Sequence, residues 1–199
     1  MYDAAARKKN RSKLLLVAAV CIAPVIASYT AFYFLQPAGH TNYGELITPP
    51  QPLPDPALTT VAGQPFKLSE LRNKWLLLVA QPGACDAHCE QQLVYLRQIR
   101  LAQGKDAERI ERVWLVTDAA TPRAELLAQF PELHVVRAAG TPLLAALPAA
   151  QSTADHIYIV DMLGNVMMRY PRDADPRKML KDVGRLLRHS KWTPEVAPK

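Results

Sequence analysis

Residues 14–35 run for 22 positions without one Asp, Glu, Lys, Arg or His. As a single helix they would measure about 33 Å, against roughly 30 Å of bilayer hydrocarbon. Arg7, Lys8, Lys9, Arg11 and Lys13 precede the run, opposed only by Asp3, while Tyr29, Phe32, Tyr33 and Phe34 crowd its far end. Basic residues ahead of a spanning helix hold that end in the cytoplasm, and aromatic side chains gather at the membrane interface. The pattern predicts a cytoplasmic basic tail over 1–13, a transmembrane helix over 14–35 and an exported remainder. That topology is a single pass through the inner membrane with the main domain in the periplasm. A cleavable signal peptide processed near Val25-Ile26-Ala27 is the competing reading. The run is longer than the usual apolar core of about 7–15 residues, and its aromatic end is unlike a cleavage region.

The same division explains the charge. The chain carries a formal +6, of which the first 13 residues supply +4. A local basic cluster beside an apolar run speaks for topology, so no nucleic-acid partner is expected. Residues 36–57 follow, with Pro37, Pro49, Pro50, Pro52, Pro54 and Pro56. Such a segment favours extended polyproline geometry and is expected to be a semi-rigid spacer.

From residue 58 the pattern is that of a folded domain, expected over 58–190 with a short tail at 191–199. The apolar runs at 75–80 (WLLLVA) and 113–117 (VWLVT) suit strands buried on both faces. Leu93, Leu96 and Ile99 recur at helical spacing after Cys89, and a further helix opens at Pro122. A third strand is expected at 134–137, a short helix at 141–147, and a hairpin over 157–170 turning at Gly164. An amphipathic helix over 175–189 closes the domain. Strands alternating with helices predict an α/β mixed sheet flanked by helices.

The chain has three cysteines. Cys21 lies within the apolar run, which leaves Cys85 and Cys89 with only each other. They fall in Gln-Pro-Gly-Ala-Cys-Asp-Ala-His-Cys, where a buried strand gives way to a loop and then a helix. A helix N-terminus stabilises a thiolate, and the thiolate is both nucleophile and metal ligand. On a regular helix, residues four apart hold their Cβ atoms about 5–6 Å from each other, whereas a disulfide needs about 3.5–4.5 Å. The first turn must therefore be distorted for the pair to close. Two soft sulfurs on one face can also clamp Cu(I) without closing. The spacing is compatible with redox chemistry, with metal binding and with a plain structural disulfide.

From Phe66 onward the sequence resembles the Sco/SenC family of thioredoxin-like copper-delivery proteins for cytochrome c oxidase. The resemblance rests on F-x-L-S-x-L-R-x-K-W-L-L-L at 66–78, the C-x-x-x-C of Cys85 and Cys89, V-W-L-V-T-D ending at Asp118, and D-H ahead of Y-I-V-D at 158–161. It implies a thioredoxin-like fold and one copper ion held by the two cysteines and a histidine. It also implies a cysteine pair that cycles between dithiol and disulfide, and a cytochrome c oxidase subunit or other copper-acceptor protein as partner. His156 is the residue expected to complete the ligand set of Cys85 and Cys89. It stands two residues before Tyr158, whereas the family histidine stands about five before its aromatic, and in a strand that three-residue difference reverses the face. Asp86 and Glu90 follow the cysteines where the family often has proline. His88, inside the motif, is the alternative ligand. Met162, Met167 and Met168 offer thioethers, although adjacent strand residues such as Met167 and Met168 point to opposite faces. His134 reads as a strand-end residue. A general membrane-tethered thiol–disulfide oxidoreductase, in which the more exposed Cys85 attacks and Cys89 resolves, and a non-catalytic assembly subunit are the alternative functions.

Overall fold

A computed structural model describes residues 4–34 and 42–190 of the chain. The expected tail at 191–199 lies outside the described residues, as do the last position of the expected span and the first part of the expected spacer. The described chain divides into two units, the first ending at Thr41 and the second beginning at Asn42.

In the first unit, helix α1 spans Ala4–Phe34. It begins well before the apolar run, so most of the expected basic tail is helical too. Its segment Lys13–Tyr33 is long and apolar enough to cross a membrane. Pro24 sits inside it, and the Thr30 hydroxyl donates back to the Ile26 carbonyl at 2.8 Å, which satisfies a polar group with no water required.

The second unit is an eight-stranded sheet with helices on both faces. Its elements are β1 (Glu45–Pro52), β2 (Leu58–Thr60), β3 (Pro65–Phe66), β4 (Trp75–Gln81), α2 (Ala87–Leu101), β5 (Ile110–Val116), α3 (Ala124–Ala128), β6 (Leu133–Arg137), α4 (Pro142–Ala145), β7 (Ile157–Val160), β8 (Asn165–Tyr170) and α5 (Pro176–His189). Across the sheet the order is β1-β8-β7-β4-β5-β6-β2-β3. The β4–β5 and β5–β6 pairs are parallel, and every other pair is antiparallel. All seven residues of β4 are buried, which is why this strand reads as an unbroken apolar run: both of its faces are covered.

The alternation of side chains separates two cores. Leu77, Val79, Trp114, Val116, Ile157 and Ile159 face a layer made by Leu93, Leu96 and Ile99 of α2 and Met179, Val183 and Leu187 of α5. Leu76, Leu78, Ala80, Val113, Leu115, Tyr158 and Val160 point the other way, toward Leu143 of α4 and Phe66 and Leu68.

Residues 45–52 correct the spacer reading. They form edge strand β1, antiparallel to β8, with Glu45 opposite Arg169 and Gln51 opposite Val166. Proline lacks the N–H of a ladder donor and is tolerated at a sheet edge or bulge. The register is broken between Leu46 and Gln51, where Pro49 and Pro50 fall. Glu45 binds Arg169 through both oxygens, at 2.8 and 2.9 Å, and that guanidinium holds the Glu45 carboxyl below the usual carboxylate range. Upstream, the buried carboxylate of Asp182 on α5 accepts the amides of Tyr43 and Gly44 at 2.8 and 3.0 Å. Gly44 is there because a Cβ would lie 2.4 Å from the sulfur of Met168.

Candidate functional site

Strand β4 ends at Gln81, and Pro82 cannot extend the ladder. The chain then turns over a short loop in which Gly83 donates its amide to Asp118 Oδ1 at 2.8 Å. The same oxygen accepts from Ala120 at 3.1 Å, so one carboxylate joins the loop after β4 to the loop after β5. A Cβ on Gly83 would stand 2.2 Å from the Ala120 carbonyl oxygen; only glycine fits. Cys85 closes the turn by donating its amide to the Pro82 carbonyl at 3.2 Å.

Helix α2 starts after Cys85. Asp86 is its N-cap and accepts the Cys89 amide at 2.9 Å, satisfying one of the donors a helix leaves unpaired at its start. Cys85 itself has φ +33°, a left-handed conformation that costs a side-chain-bearing residue about 1–2 kcal/mol. This is the distortion that i,i+4 spacing demands. With Cys85 outside the helix and Cys89 in its first turn, the two Cα atoms stand 5.2 Å apart and the sulfurs are bonded to each other.

The exposure of the pair differs from the accessible position expected for reactive cysteines. Cys85 is 3% exposed and Cys89 0%, and both belong to the same core layer as Val79, Leu93, Val116 and Ile157. Cys85 is the more exposed residue of the two, as expected, but by a narrow margin. The charged groups around the loop are spoken for: Asp86 and Asp118 hold amides, and Glu90 pairs with Arg123.

Beside the disulfide lies a polar cluster that sequence reasoning missed. Gln81 and Gln92 are each 3% exposed. The Gln81 side-chain nitrogen donates to Gln92 Oε1 at 2.7 Å and to the Ala154 carbonyl at 2.6 Å. Gln92 Nε2 donates to the same carbonyl at 3.2 Å and lies 3.1 Å from His88 Nε2. Because Ala154 offers only an acceptor, both amides must turn their NH₂ groups toward it. Gln92 therefore presents a donor to His88, whose Nε2 is the acceptor and whose Nδ1 carries the hydrogen. The only sequence signal was a glutamine closing an otherwise apolar strand, and another three residues after Cys89 on the buried face of α2.

His156 is placed elsewhere. It precedes β7 in extended backbone, so its side chain has the parity of Tyr158, against whose ring it packs with centroids 5.8 Å apart. Tyr158 belongs to the face opposite the cysteines, whereas Ile157 lies on theirs. His156 Nδ1 is 2.8 Å from the Tyr170 carbonyl oxygen. The structure thus brings Cys85 and Cys89 together and leaves His156 on the other side of the sheet. The position five residues before Tyr158 is Thr153, in the 3₁₀ turn Thr153–Asp155 whose Ala154 carbonyl the two glutamines bind. Among the described residues, no group of three His, Cys, Asp or Glu is gathered to hold a metal.

The remaining candidates belong to the scaffold. Met168 is fully buried and Met167 packs against the same core layer, not the opposite one. A bulge explains this: Ile159 pairs with Met168 and Val160 with Val166, so Met167 is the extra residue. His134 lies 3.4 Å from Glu111, near the start of β5 and β6.

A disulfide at the junction of a central strand and its following helix, on a mixed sheet covered by helices, defines a thioredoxin-like disulfide domain. The family described as "Transmembrane-like, thioredoxin-like, C-terminal domain" matches residues 75–190, more than half of the chain, and the chain belongs to it. Its fold is that of the Sco proteins. Yeast Sco1 with copper bound superposes with a TM-score of 0.59 at 15% identity, covering 71% of this chain and 96% of that one. ScoI of Bradyrhizobium japonicum with copper bound gives 0.52 at 19% identity, with 67% and 98% covered. BsSco, a member of the Sco family of cytochrome c oxidase assembly proteins in which a disulfide switch was identified, gives 0.53 at 11% identity, with 71% and 96% covered. Curated proteins provide no match.

Proposed function

We propose that this protein is a membrane-anchored thiol protein of cytochrome c oxidase assembly whose cysteine pair carries copper when reduced and rests as a disulfide when oxidised. The observation that carries the reading is the Cys85–Cys89 pair itself, two sulfurs bonded across the start of α2. Helix α1 would be the anchor, crossing the inner membrane once with its basic end in the cytoplasm and the thioredoxin-like domain in the periplasm. That compartment is oxidising, so a dithiol there needs a reductant, and a disulfide is its expected resting form. Copper-bound Sco structures of the same fold support the copper half of the reading, and the disulfide switch of BsSco supports the redox half.

Cys85 and Cys89 are the residues that would hold the ion. Two thiolates are soft donors suited to Cu(I). Delivery would proceed by ligand exchange with the thiolates of an oxidase subunit or another copper acceptor. The second reading, a reductase that keeps acceptor cysteines reduced, is favoured by the bonded state of the pair. In it Cys85, the more exposed residue, attacks the target disulfide and Cys89 resolves the mixed disulfide.

Both readings are tested on the full chain in detergent. The pair is reduced, Cu(I) is offered in competition with a chromophoric chelator, and copper per chain is counted. Copper retained by the reduced protein, and lost in both the oxidised protein and Cys85→Ser, is the expected result. No retention together with rapid reduction of a test disulfide would establish the reductase instead.

A further inference from the structure

Among the described residues, the donors gathered at the cysteine pair stop at two, and this decides which copper the protein takes. The inference rests on the copper reading above and concerns the coordination sphere. Two imidazoles stand in or near the motif, and the structure engages both elsewhere. His156 lies on the far face of the sheet, its ring against Tyr158 and its Nδ1 on the Tyr170 carbonyl. His88 lies on the first turn of α2, but its Nε2 lone pair accepts from Gln92. Gln92 cannot reverse its amide, because its NH₂ and that of Gln81 both point at the Ala154 carbonyl. Recruiting His88 would leave a buried Gln92 N–H without its acceptor. The nearest carboxylates are also committed, Asp86 to the Cys89 amide and Asp118 to Gly83 and Ala120.

We propose that the reduced site is a two-sulfur Cu(I) carrier to which the described residues add no third ligand, so that the open coordination position is filled by a sulfur of the acceptor. Loading begins with a dithiol reductant, which gives two electrons and two protons to the Cys85–Cys89 bond and is itself oxidised to a disulfide. Cu(I) then displaces both thiol protons and binds the two thiolates. During transfer an acceptor thiolate enters the vacant position before Cys85 and Cys89 leave, so copper is never released free. Cu(II) is a different case, because it prefers nitrogen and oxygen donors in a tetragonal arrangement. Here it acts as an oxidant: two Cu(II) take one electron each from the two thiols, giving two Cu(I), the Cys85–Cys89 disulfide and two protons.

The test uses the full chain in detergent, reduced, freed of reductant and kept anaerobic. Cu(I) is supplied as its acetonitrile complex, and the sample is read by copper X-ray absorption. The expected spectrum shows sulfur neighbours and no protein nitrogen, and His88→Ala and His156→Ala leave Cu(I) affinity unchanged. Two equivalents of Cu(II) per chain are added to a second sample. Its paramagnetic resonance signal should vanish, no thiolate charge-transfer band should persist, and the disulfide should re-form. A stable Cu(II) complex with nitrogen hyperfine structure overturns the proposal, as does a loss of about tenfold or more in Cu(I) affinity in either histidine variant. Those results would leave the copper reading intact. A reduced chain that retains no Cu(I) would overturn the copper reading and this inference with it.

Discussion

Asp118 and Gly83 hold the cysteine loop against the end of β5. One carboxylate oxygen serves the amides of Gly83 and Ala120, and removing it strands two donors in a poorly hydrated place. Asp118→Ala should therefore cost about 1–3 kcal/mol of stability in denaturant titration. Gly83→Ala, whose methyl would press on the Ala120 carbonyl, should also destabilise, by about 1–3 kcal/mol. Tyr158 reports on the opposite core. Burial pushes its phenol up to about 12 from an ordinary 10.0. A phenol raised on folding contributes stability that is complete below the unfolded value and is lost as pH rises through the folded one. Between pH 10 and 12 the protein should lose stability, and Tyr158→Phe should lose less over that window. Alkaline titration of the tyrosinate absorbance, run beside thermal melts, checks it.

At the scale of elements, α2 depends on its first residue and β1 on its neighbours. Asp86→Ala removes the cap on the Cys89 amide and should cost about 1 kcal/mol. Asp182→Ala withdraws the acceptor of Tyr43 and Gly44. Amide hydrogen exchange should then speed up over β1 while β4 and β5 keep their protection; uniform loss across the sheet would contradict a local role. These elements also show what the sequence reveals and what it hides. Strands β4 and β5 are legible because burial on both faces writes a continuous apolar run. β1 is hidden because an edge strand needs few apolar residues and tolerates proline, so 45–52 looks like spacer. The cysteine pair is legible from its place between strand and helix. The polar cluster is not, because no spacing rule says that Gln81 and Gln92 will meet at the carbonyl of residue 154. The face taken by His156 turns on where loop becomes strand, and sequence periodicity places such boundaries poorly.

For the whole molecule, copper carriage requires a fold that survives with the pair open. A bond closing four residues of sequence separation constrains the unfolded chain only a little, contributing about 2 kcal/mol on chain-entropy grounds. Two well-packed cores and an eight-stranded ladder do not hang on it. Reduction should lower the melting temperature by about 4–8 °C and leave the circular dichroism unchanged. Both sulfurs are nearly sealed from solvent, so reaction with a partner requires the loop over 82–86 to open without global unfolding. The most direct measurement is a redox titration of the native full chain in detergent against dithiol–disulfide mixtures, quenched by alkylation and read by mass. Carriage of copper by a pair that opens and closes predicts one reversible two-electron step in which Cys85 and Cys89 are alkylated together while the domain stays folded. A pair that resists reduction until denaturant unfolds the domain would be a structural staple, and would contradict the account.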